Sequence, residues 1–255
     1  MELACALRLF KENPLEEACE KIQTIGFRGV ELDWETLSRQ LAADSRWYAT
    51  LGRWLSRMGL ETVSVRVGNF TAEREDQMHL QAHVFSQMFH PVLETGTKRI
   101  VLGSGPRTLE NFNCFREALA RLAEQAQPLG LEIVVENELD TRMETPQDFQ
   151  ALFVTKYSPN TGVCVDVRHC HLAAVNAGDL IREQGPRIKL VRLCDMMGDI
   201  PVLPGRGEIE IKGLVRALRK VQYEGMVVLD YLPHREAKIE REIEQAYQYL
   251  QQIVT

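Results

Sequence analysis

The sequence has 255 residues, of which 45% are hydrophobic and 26% charged, and this length is enough to bury a sizeable core. Thirty Lys and Arg residues against 36 Asp and Glu residues give a net charge of −6, which disfavours a nucleic acid as the main partner. No apolar run approaches the roughly 18 to 20 residues that a membrane span needs. We therefore expect a small-molecule partner, with no nucleic acid and no membrane.

The N-terminus and the cysteines indicate the compartment. Residues 1–14 contain no long apolar segment of the kind that a signal peptide carries. The six cysteines include no CxxC pair, and several lie inside apolar runs, as reduced and buried thiols do. We predict a cytoplasmic protein.

Eight short apolar runs alternate in strict order with amphipathic segments along the chain. Helix starts carry Pro14 and Pro146, and glycines such as Gly26 and Gly130 end helices directly before a strand. No linker or charge block divides the chain, so we predict one domain over residues 1–255. The predicted strands are 3–10, 28–33, 61–68, 98–105, 131–138, 161–167, 188–195 and 226–232.

Eight successive strand–helix units at this length predict a single (β/α)₈ TIM barrel. The competing arrangement is an open doubly wound sheet, which would carry GxGxxG after its first strand, and LRLFKENP has none. GSGPRT (103–108) has two of the glycines but follows the fourth strand and has Thr108 in the third place. We interpret it as a tight turn into a helix.

Reactive groups of a barrel collect at the carboxyl ends of its strands. Glu136, Asp166 and Asp230 end the fifth, sixth and eighth predicted strands, and carboxylates that converge there need a positive charge among them. That charge is either a divalent ion such as Mg²⁺ or Mn²⁺ or a set of arginines. The other polar residues at strand ends are Glu31, Arg66, Glu138, His169, Arg192 and Asp195, and Arg206 follows in the loop after the seventh strand.

Several stretches, in their order and spacing, resemble the xylose isomerase-like TIM-barrel superfamily. That superfamily includes sugar isomerases and epimerases, inosose dehydratase and endonuclease IV. The resemblance covers nearly the whole chain and is not specific for one activity. The stretches are 14–33, VVENE (134–138), TPQDF (145–149), 158–173, PRIKLVRLCD (186–195), 203–225 and VVLD (227–230).

The resemblance implies one divalent metal held by a glutamate, an aspartate, a histidine and a glutamate from strands five to eight. Glu136 and Asp166 match the first two, whereas the histidine position carries Arg192 and the last glutamate position carries Asp230. His169 matches a histidine that usually contacts substrate. Two further arginines, Arg66 in place of a common histidine and Arg206 in the loop PGRGE, stand at positions that imply substrate contact, and Glu31 is a further candidate contact.

These departures allow two interpretations of the metal site. In the first, Glu136, Asp166 and Asp230 keep the metal with help from His169, and the arginines bind an anionic substrate. In the second, Arg192 and its neighbours have replaced the ion, since a guanidinium cannot coordinate a cation but supplies a fixed charge and a bidentate fork. We favour the second interpretation, a metal-free site.

The resemblance implies an isomerase or epimerase that acts by proton transfer next to a carbonyl, with a dehydratase of the same superfamily as an alternative. Glu136 and Asp230 would be the general base and acid on a small sugar, sugar phosphate or hydroxy or keto acid. The alternative from another class is a non-catalytic or metal-free barrel that binds a small anionic ligand through its arginines. A DNA-repair activity is a poor fit, because the sequence lacks a histidine-rich trinuclear zinc site. A homodimer is expected by analogy.

Overall fold

The structure, a computed structural model, describes residues 1–41, 47–154, 158–231 and 239–254. Eight parallel strands close into a barrel in the order β1-β10-β7-β6-β5-β4-β3-β2, which confirms the predicted (β/α)₈ fold. The barrel strands are β1 (Leu3–Ala6), β2 (Gly29–Asp33), β3 (Glu61–Asn69), β4 (Arg99–Gly103), β5 (Glu132–Glu136), β6 (Thr161–Asp166), β7 (Ile188–Leu193) and β10 (Val227–Leu229).

Helices connect the strands and cover the outside of the barrel. They are α1 (Leu15–Ile25), α2 (Trp34–Leu41), α3 (Trp47–Arg57), α4 (Glu75–Ser86), α5 (Phe89–Glu94), α6 (Leu109–Ala126), α7 (Pro146–Phe153), α8 (Val167–Leu172), α9 (Ala177–Gln184), α10 (Ile211–Lys220) and α11 (Ile239–Val254). Within the described ranges, none of these helices is both long and apolar enough to span a bilayer.

Two elements differ from the sequence prediction. The first strand ends at Ala6, and residues Leu7–Phe10 form a 3₁₀ helix, so the run predicted as a strand over 3–10 turns at its middle. The hairpin β8 (Asp195–Met197) and β9 (Ile200–Val202) was not predicted and follows β7 directly.

The segment between β3 and β4 forms two helices, α4 and α5, and not one continuous helix. Pro91 lies in the first turn of α5, and its ring would clash with the carbonyl four residues earlier in one continuous helix.

Successive side chains of a strand point to opposite faces, so one set packs in the hydrophobic core and the other points into the barrel. In β2, Val30 and Leu32 are fully buried in the hydrophobic core, while Glu31 between them points to the other side. The register pairs Asp166 with Arg192 between β6 and β7, so these two side chains lie next to each other on the same side. The fold thus places charged side chains inside the barrel at the carboxyl ends of its strands.

Candidate functional site

Charged side chains that lie on seven of the eight barrel strands, or directly after them, meet at the carboxyl ends of the strands. Ion pairs and hydrogen bonds link most of them, and the charge of Arg192 helps Arg8 to lower the pKa of Asp230. The fourth strand, β4, ends instead with Gly103. We call this set the mouth network, and its members are Arg8, Glu31, Arg66, Glu136, Asp166, Arg192 and Asp230.

Arg192 contacts three carboxylates of the mouth network and is only 2% exposed. Its Nε donates to Oε2 of Glu31 at 2.7 Å and its Nη2 donates to Oε1 at 3.0 Å, which is a bidentate pair. Its Nη1 donates to Oε2 of Glu136 and lies 4.0 Å from Oδ2 of Asp166. Ser64 donates a further hydrogen bond to Oε1 of Glu31 at 2.6 Å. Each nitrogen of the buried guanidinium therefore has a carboxylate partner, as a buried charge requires.

Arg66 holds the other oxygen of Glu136 and extends the network toward solvent. Its Nε donates to Oε1 of Glu136 at 2.8 Å, and its Nη2 donates to Oδ1 of Asn69 at 3.2 Å. The amide of Asn69 donates in turn to Oε2 of Glu138 at 3.2 Å. A Cβ at Gly103 would overlap Oδ1 of Asn69, so the glycine at the end of β4 makes room for this amide. Asn69 was not identified from the sequence.

Arg8 and Asp230 form the second ion pair at the mouth. Nε of Arg8 donates to Oδ1 of Asp230 at 2.7 Å, and Nη2 donates to Oδ2. The side chain of Asp230 is 3% exposed, whereas that of Arg8 is 34% exposed. Arg8 was not identified from the sequence, although it is, like Arg192, a charged residue inside an apolar run.

Asp166 and His169 are fixed by the start of α8. Oδ1 of Asp166 caps the helix by accepting the backbone N–H of His169 at 3.2 Å. Asn137 accepts the backbone N–H of Asp166 through Oδ1 and donates to its carbonyl through Nδ2. Nδ1 of His169 accepts the backbone N–H of Leu139 at 3.3 Å. The local backbone therefore sets the direction of both side chains.

Asp195 lies below the loop that carries Arg206 and organises it. Its carboxylate is fully buried and accepts four backbone N–H groups, those of Met196, Gly205, Gly207 and Ile209, at 2.8 to 3.1 Å. Arg206 itself is exposed and lies at a surface groove with Tyr231 and Glu242. The structure thus brings the other predicted site residues together at the mouth, with Arg206 on a neighbouring surface.

The arginines control the ionisation of the two carboxylates predicted to be catalytic. Burial alone would raise the pKa of Glu136, but the charges of Arg192 and Arg66 outweigh it and lower the pKa to about 2. Burial also disfavours the ionised form of Asp230, and the charge of Arg8 more than offsets it, so the pKa of Asp230 is lowered. Both carboxylates are therefore ionised at neutral pH.

The arrangement of these residues does not fit a divalent metal ion. A metal ligand needs a free lone pair, which the guanidinium of Arg192 lacks. Glu136 and Asp230 each have both carboxylate oxygens bonded to an arginine. Across the part of the chain that the structure describes, no group of three His, Cys, Asp or Glu side chains is placed to hold a metal.

Comparison with known proteins identifies the class to which this barrel belongs. Residues 19–253 match the family described as xylose isomerase-like TIM barrel. The chain therefore belongs to the xylose isomerase-like TIM-barrel family, as the resemblance implied.

Similar proteins carry different activities. An inosose dehydratase of Clostridium botulinum (strain Alaska E43 / Type E3) is 22% identical over 254 residues, with 87% of this chain and 83% of the relative covered. The structure of the IolI protein with a zinc atom superimposes with a TM-score of 0.86 at 19% identity and covers 100% of this chain and 98% of that one. D-psicose 3-epimerase from Clostridium cellulolyticum H10 superimposes with a TM-score of 0.85 at 16% identity, covering 100% and 99%. At these identities the two structures share the fold with this chain.

Proposed function

We propose that this protein acts on a small sugar-like carbonyl compound by transferring a proton at the carbon next to the carbonyl. Membership of the family supports the substrate class, because relatives include an inosose dehydratase and a D-psicose 3-epimerase. Dehydration, isomerisation and epimerisation of such compounds all begin with removal of this proton. The proposal therefore concerns the step that these activities share.

The observation that carries the proposal is the pair of ionised carboxylates at the mouth. Glu136 and Asp230 stand at the ends of β5 and β10, with β6 and β7 between them in the barrel. The lowered pKa of each carboxyl keeps both in the form that accepts a proton. Arg192 lies on β7 between them, and a fixed positive charge there stabilises negative charge that develops on a substrate oxygen.

The same ionisation favours one order of proton transfers. Neither Glu136 nor Asp230 carries a proton before the substrate binds, so neither can begin the reaction as a general acid. The carboxylate that removes the first proton then becomes the acid that can return one. This supports isomerisation or dehydration through a single carboxylate over an epimerisation that needs a base and an acid on opposite faces.

The exposed edges of two arginines are the groups that a ligand meets. The side chains of Arg8 and Arg66 are 34% and 32% exposed, whereas that of Arg192 is 3% exposed. Arg8 and Arg66 each use one edge of the guanidinium for a carboxylate. Their remaining N–H groups are suited to donate to hydroxyl or carbonyl oxygens of a sugar-like ligand.

A second function, ligand binding without catalysis, is favoured by the strongly lowered pKa of Glu136. A carboxylate with a pKa of about 2 is a weak base, and both oxygens of Glu136 accept hydrogen bonds from arginines. A metal-free barrel that binds a small ligand without changing it would retain this arrangement. The two functions predict the same binding site and different chemistry.

Solvent deuterium exchange separates these functions. We would incubate the protein in D₂O with keto sugars, inososes, keto acids and sugar phosphates and follow loss of the C–H signal next to the carbonyl by NMR. The proposal expects exchange on at least one compound, reduced about 100-fold or more in Glu136→Gln. The matched control is Glu132→Gln. Glu132 lies on the same strand but pairs with Arg99 and Lys189 away from the mouth, so this variant should keep the wild-type exchange rate.

The outcomes are distinct. Saturable binding of a compound without exchange would support the binding function and contradict the proton transfer. Exchange that survives in both Glu136→Gln and Asp230→Asn would show that another group removes the proton. No binding of any compound class in the panel would contradict both functions.

A further inference from the structure

The deepest part of the mouth network has a positive charge surrounded by carboxylates, which is the arrangement of a bound cation. We propose that Arg192 is a tethered cation that holds the place of a divalent metal ion and excludes one, so that removal of its side chain turns the mouth into a divalent-metal site. This inference goes beyond the proposed proton transfer, because metal uptake is measured without any substrate.

The contacts of Arg192 are those of a cation with its ligands. One guanidinium reaches both oxygens of Glu31 at 2.7 and 3.0 Å, contacts Oε2 of Glu136 and lies 4.0 Å from Oδ2 of Asp166. Magnesium and manganese prefer such carboxylate oxygens. A divalent ion that approached the same oxygens would stand within a few ångströms of a fixed positive charge that is buried and has no solvent to screen it. The guanidinium and the ion therefore compete for one place.

The other arginines occupy the remaining carboxylates and do not replace Arg192. Arg66 bonds Oε1 of Glu136 at 2.8 Å, and Arg8 bonds both oxygens of Asp230. Neither makes an ion pair with Glu31 or Asp166 within the part of the chain that the structure describes. Among the described residues, the ion pairs of Glu31 and Asp166 are with Arg192, and Arg8 reaches Asp166 only through longer-range attraction.

The charge count predicts the consequence of removing Arg192. The mouth network contains four carboxylates, those of Glu31, Glu136, Asp166 and Asp230, and three guanidiniums, those of Arg8, Arg66 and Arg192. Its net charge is −1 with Arg192 and −2 without it. Buried carboxylates without a partner must take up protons or a cation. One divalent ion would bring the network to neutrality.

The test measures Mn²⁺ uptake by the full-length protein after treatment with a chelator. We would titrate MnCl₂ at neutral pH and follow free Mn²⁺ by electron paramagnetic resonance, with isothermal titration calorimetry as a second readout. Arg192→Ala removes the charge and leaves room for a hydrated ion, whereas Arg192→Lys is the matched control that keeps a positive charge. The double variant Arg192→Ala with Glu136→Gln removes one of the proposed ligands.

We expect Arg192→Ala to bind one Mn²⁺ per chain at least tenfold more tightly than the wild type or Arg192→Lys, and we expect the double variant to lose this gain. Equal uptake by the wild type and Arg192→Ala would overturn the inference. Stoichiometric uptake by the wild type that Glu136→Gln abolishes would also overturn it, since the ion would then bind beside Arg192. If Arg192→Ala folds only when Mn²⁺ is present, that dependence supports the inference, and failure to fold in either condition leaves the wild-type titration to decide it.

Discussion

Two buried carboxylates of this barrel are stabilised in different ways. Asp195 accepts four backbone N–H groups of the segment that follows it, whereas Glu136 accepts hydrogen bonds from the side chains of Arg66 and Arg192. Backbone amides supply dipoles that move only if the loop rearranges. Arginine side chains supply full charges and can change rotamer when a ligand arrives.

This difference separates a carboxylate that shapes the protein from one that a ligand can reach. Asp195 is fully buried and holds the loop between β9 and α10 in one conformation. Glu136 shares its network with Arg66, whose side chain is 32% exposed. A ligand that contacts Arg66 therefore alters the surroundings of Glu136, while the surroundings of Asp195 stay the same.

The largest expected effect comes from removing the buried charge at Arg192. Arg192→Met keeps an unbranched aliphatic stem but removes the guanidinium. Glu31 loses its ion pair, and Glu136 loses one of its two. Breaking a buried pair from one side typically costs about 3 to 5 kcal/mol. We expect a loss of this size in the free energy of unfolding, measured by urea denaturation at neutral pH.

An exposed ion pair provides the control for this variant. Arg216 pairs with Glu210 through side chains that are 65% and 69% exposed, and such pairs contribute about 0 to 1 kcal/mol. Arg216→Met should therefore change little. Equal losses in Arg192→Met and Arg216→Met would mean that the buried ion pairs of Arg192 contribute no more to the free energy of unfolding than an exposed pair does.

The pH dependence of stability is the next largest effect. The pKa of Glu136 is lowered from 4.5 to about 2 in the folded protein, so its contribution to stability is complete above about pH 4.5 and is lost as the pH falls toward 2. Between pH 5 and pH 3 this group should account for a loss of about 2 kcal/mol in the free energy of unfolding.

Glu136→Gln tests the assignment of that loss. The variant is less stable at neutral pH but should lack this part of the decline between pH 5 and pH 3. Glu117→Gln, which changes an exposed partner of Arg121, should decline as the wild type does. A decline in Glu136→Gln as steep as that of the wild type would assign the acid sensitivity to other carboxylates.

Replacement of Asp195 should lower the free energy of unfolding through lost hydrogen bonds, because its partners are uncharged backbone N–H groups. Asp195→Asn replaces one of the two accepting oxygens with an NH2 group, which cannot accept, so either the N–H groups of Gly205 and Gly207 or those of Met196 and Ile209 lose their acceptor. Unpaired buried N–H groups cost about 1 to 3 kcal/mol, and we expect a loss of about 2 kcal/mol by urea denaturation. Asp199→Asn, an exposed change in the neighbouring hairpin, is the control and should be nearly neutral. A loss below that of the control would show that the loop does not need Asp195.

The sequence predicted the barrel because its signal repeats along the whole chain. Each strand is a short apolar run, and the carboxyl ends of parallel strands share one face of the barrel, so polar residues at those ends were expected to meet. The members of the mouth network found in this way are Glu31, Arg66, Glu136, Asp166, Arg192 and Asp230. Arg8 was missed, because the first apolar run continues past Ala6 and conceals the turn into a 3₁₀ helix.

Other features depend on information that the apolar pattern does not contain. Which arginine bonds which carboxylate is set by strand register and side-chain rotamers, so the bidentate pair between Arg192 and Glu31 was not predictable. The hairpin of β8 and β9 did carry a local signal. Gly198 and Asp199 form a two-residue connection with positive φ at the glycine, as a type II′ turn requires.

The smallest effect concerns the amide that joins Arg66 to Glu138. Gly103→Ala would place a Cβ against Oδ1 of Asn69, and the shift needed to relieve this overlap should cost about 1 kcal/mol in the free energy of unfolding. Asn69→Ala removes the overlapping amide, so adding Gly103→Ala to that variant should cost much less. The double-mutant cycle, measured by urea denaturation, isolates this contact. If the losses of free energy of unfolding were additive, the cost of Gly103→Ala would come from the backbone of β4. The amide of Asn69 could then move away from the new Cβ and keep its hydrogen bond with Arg66.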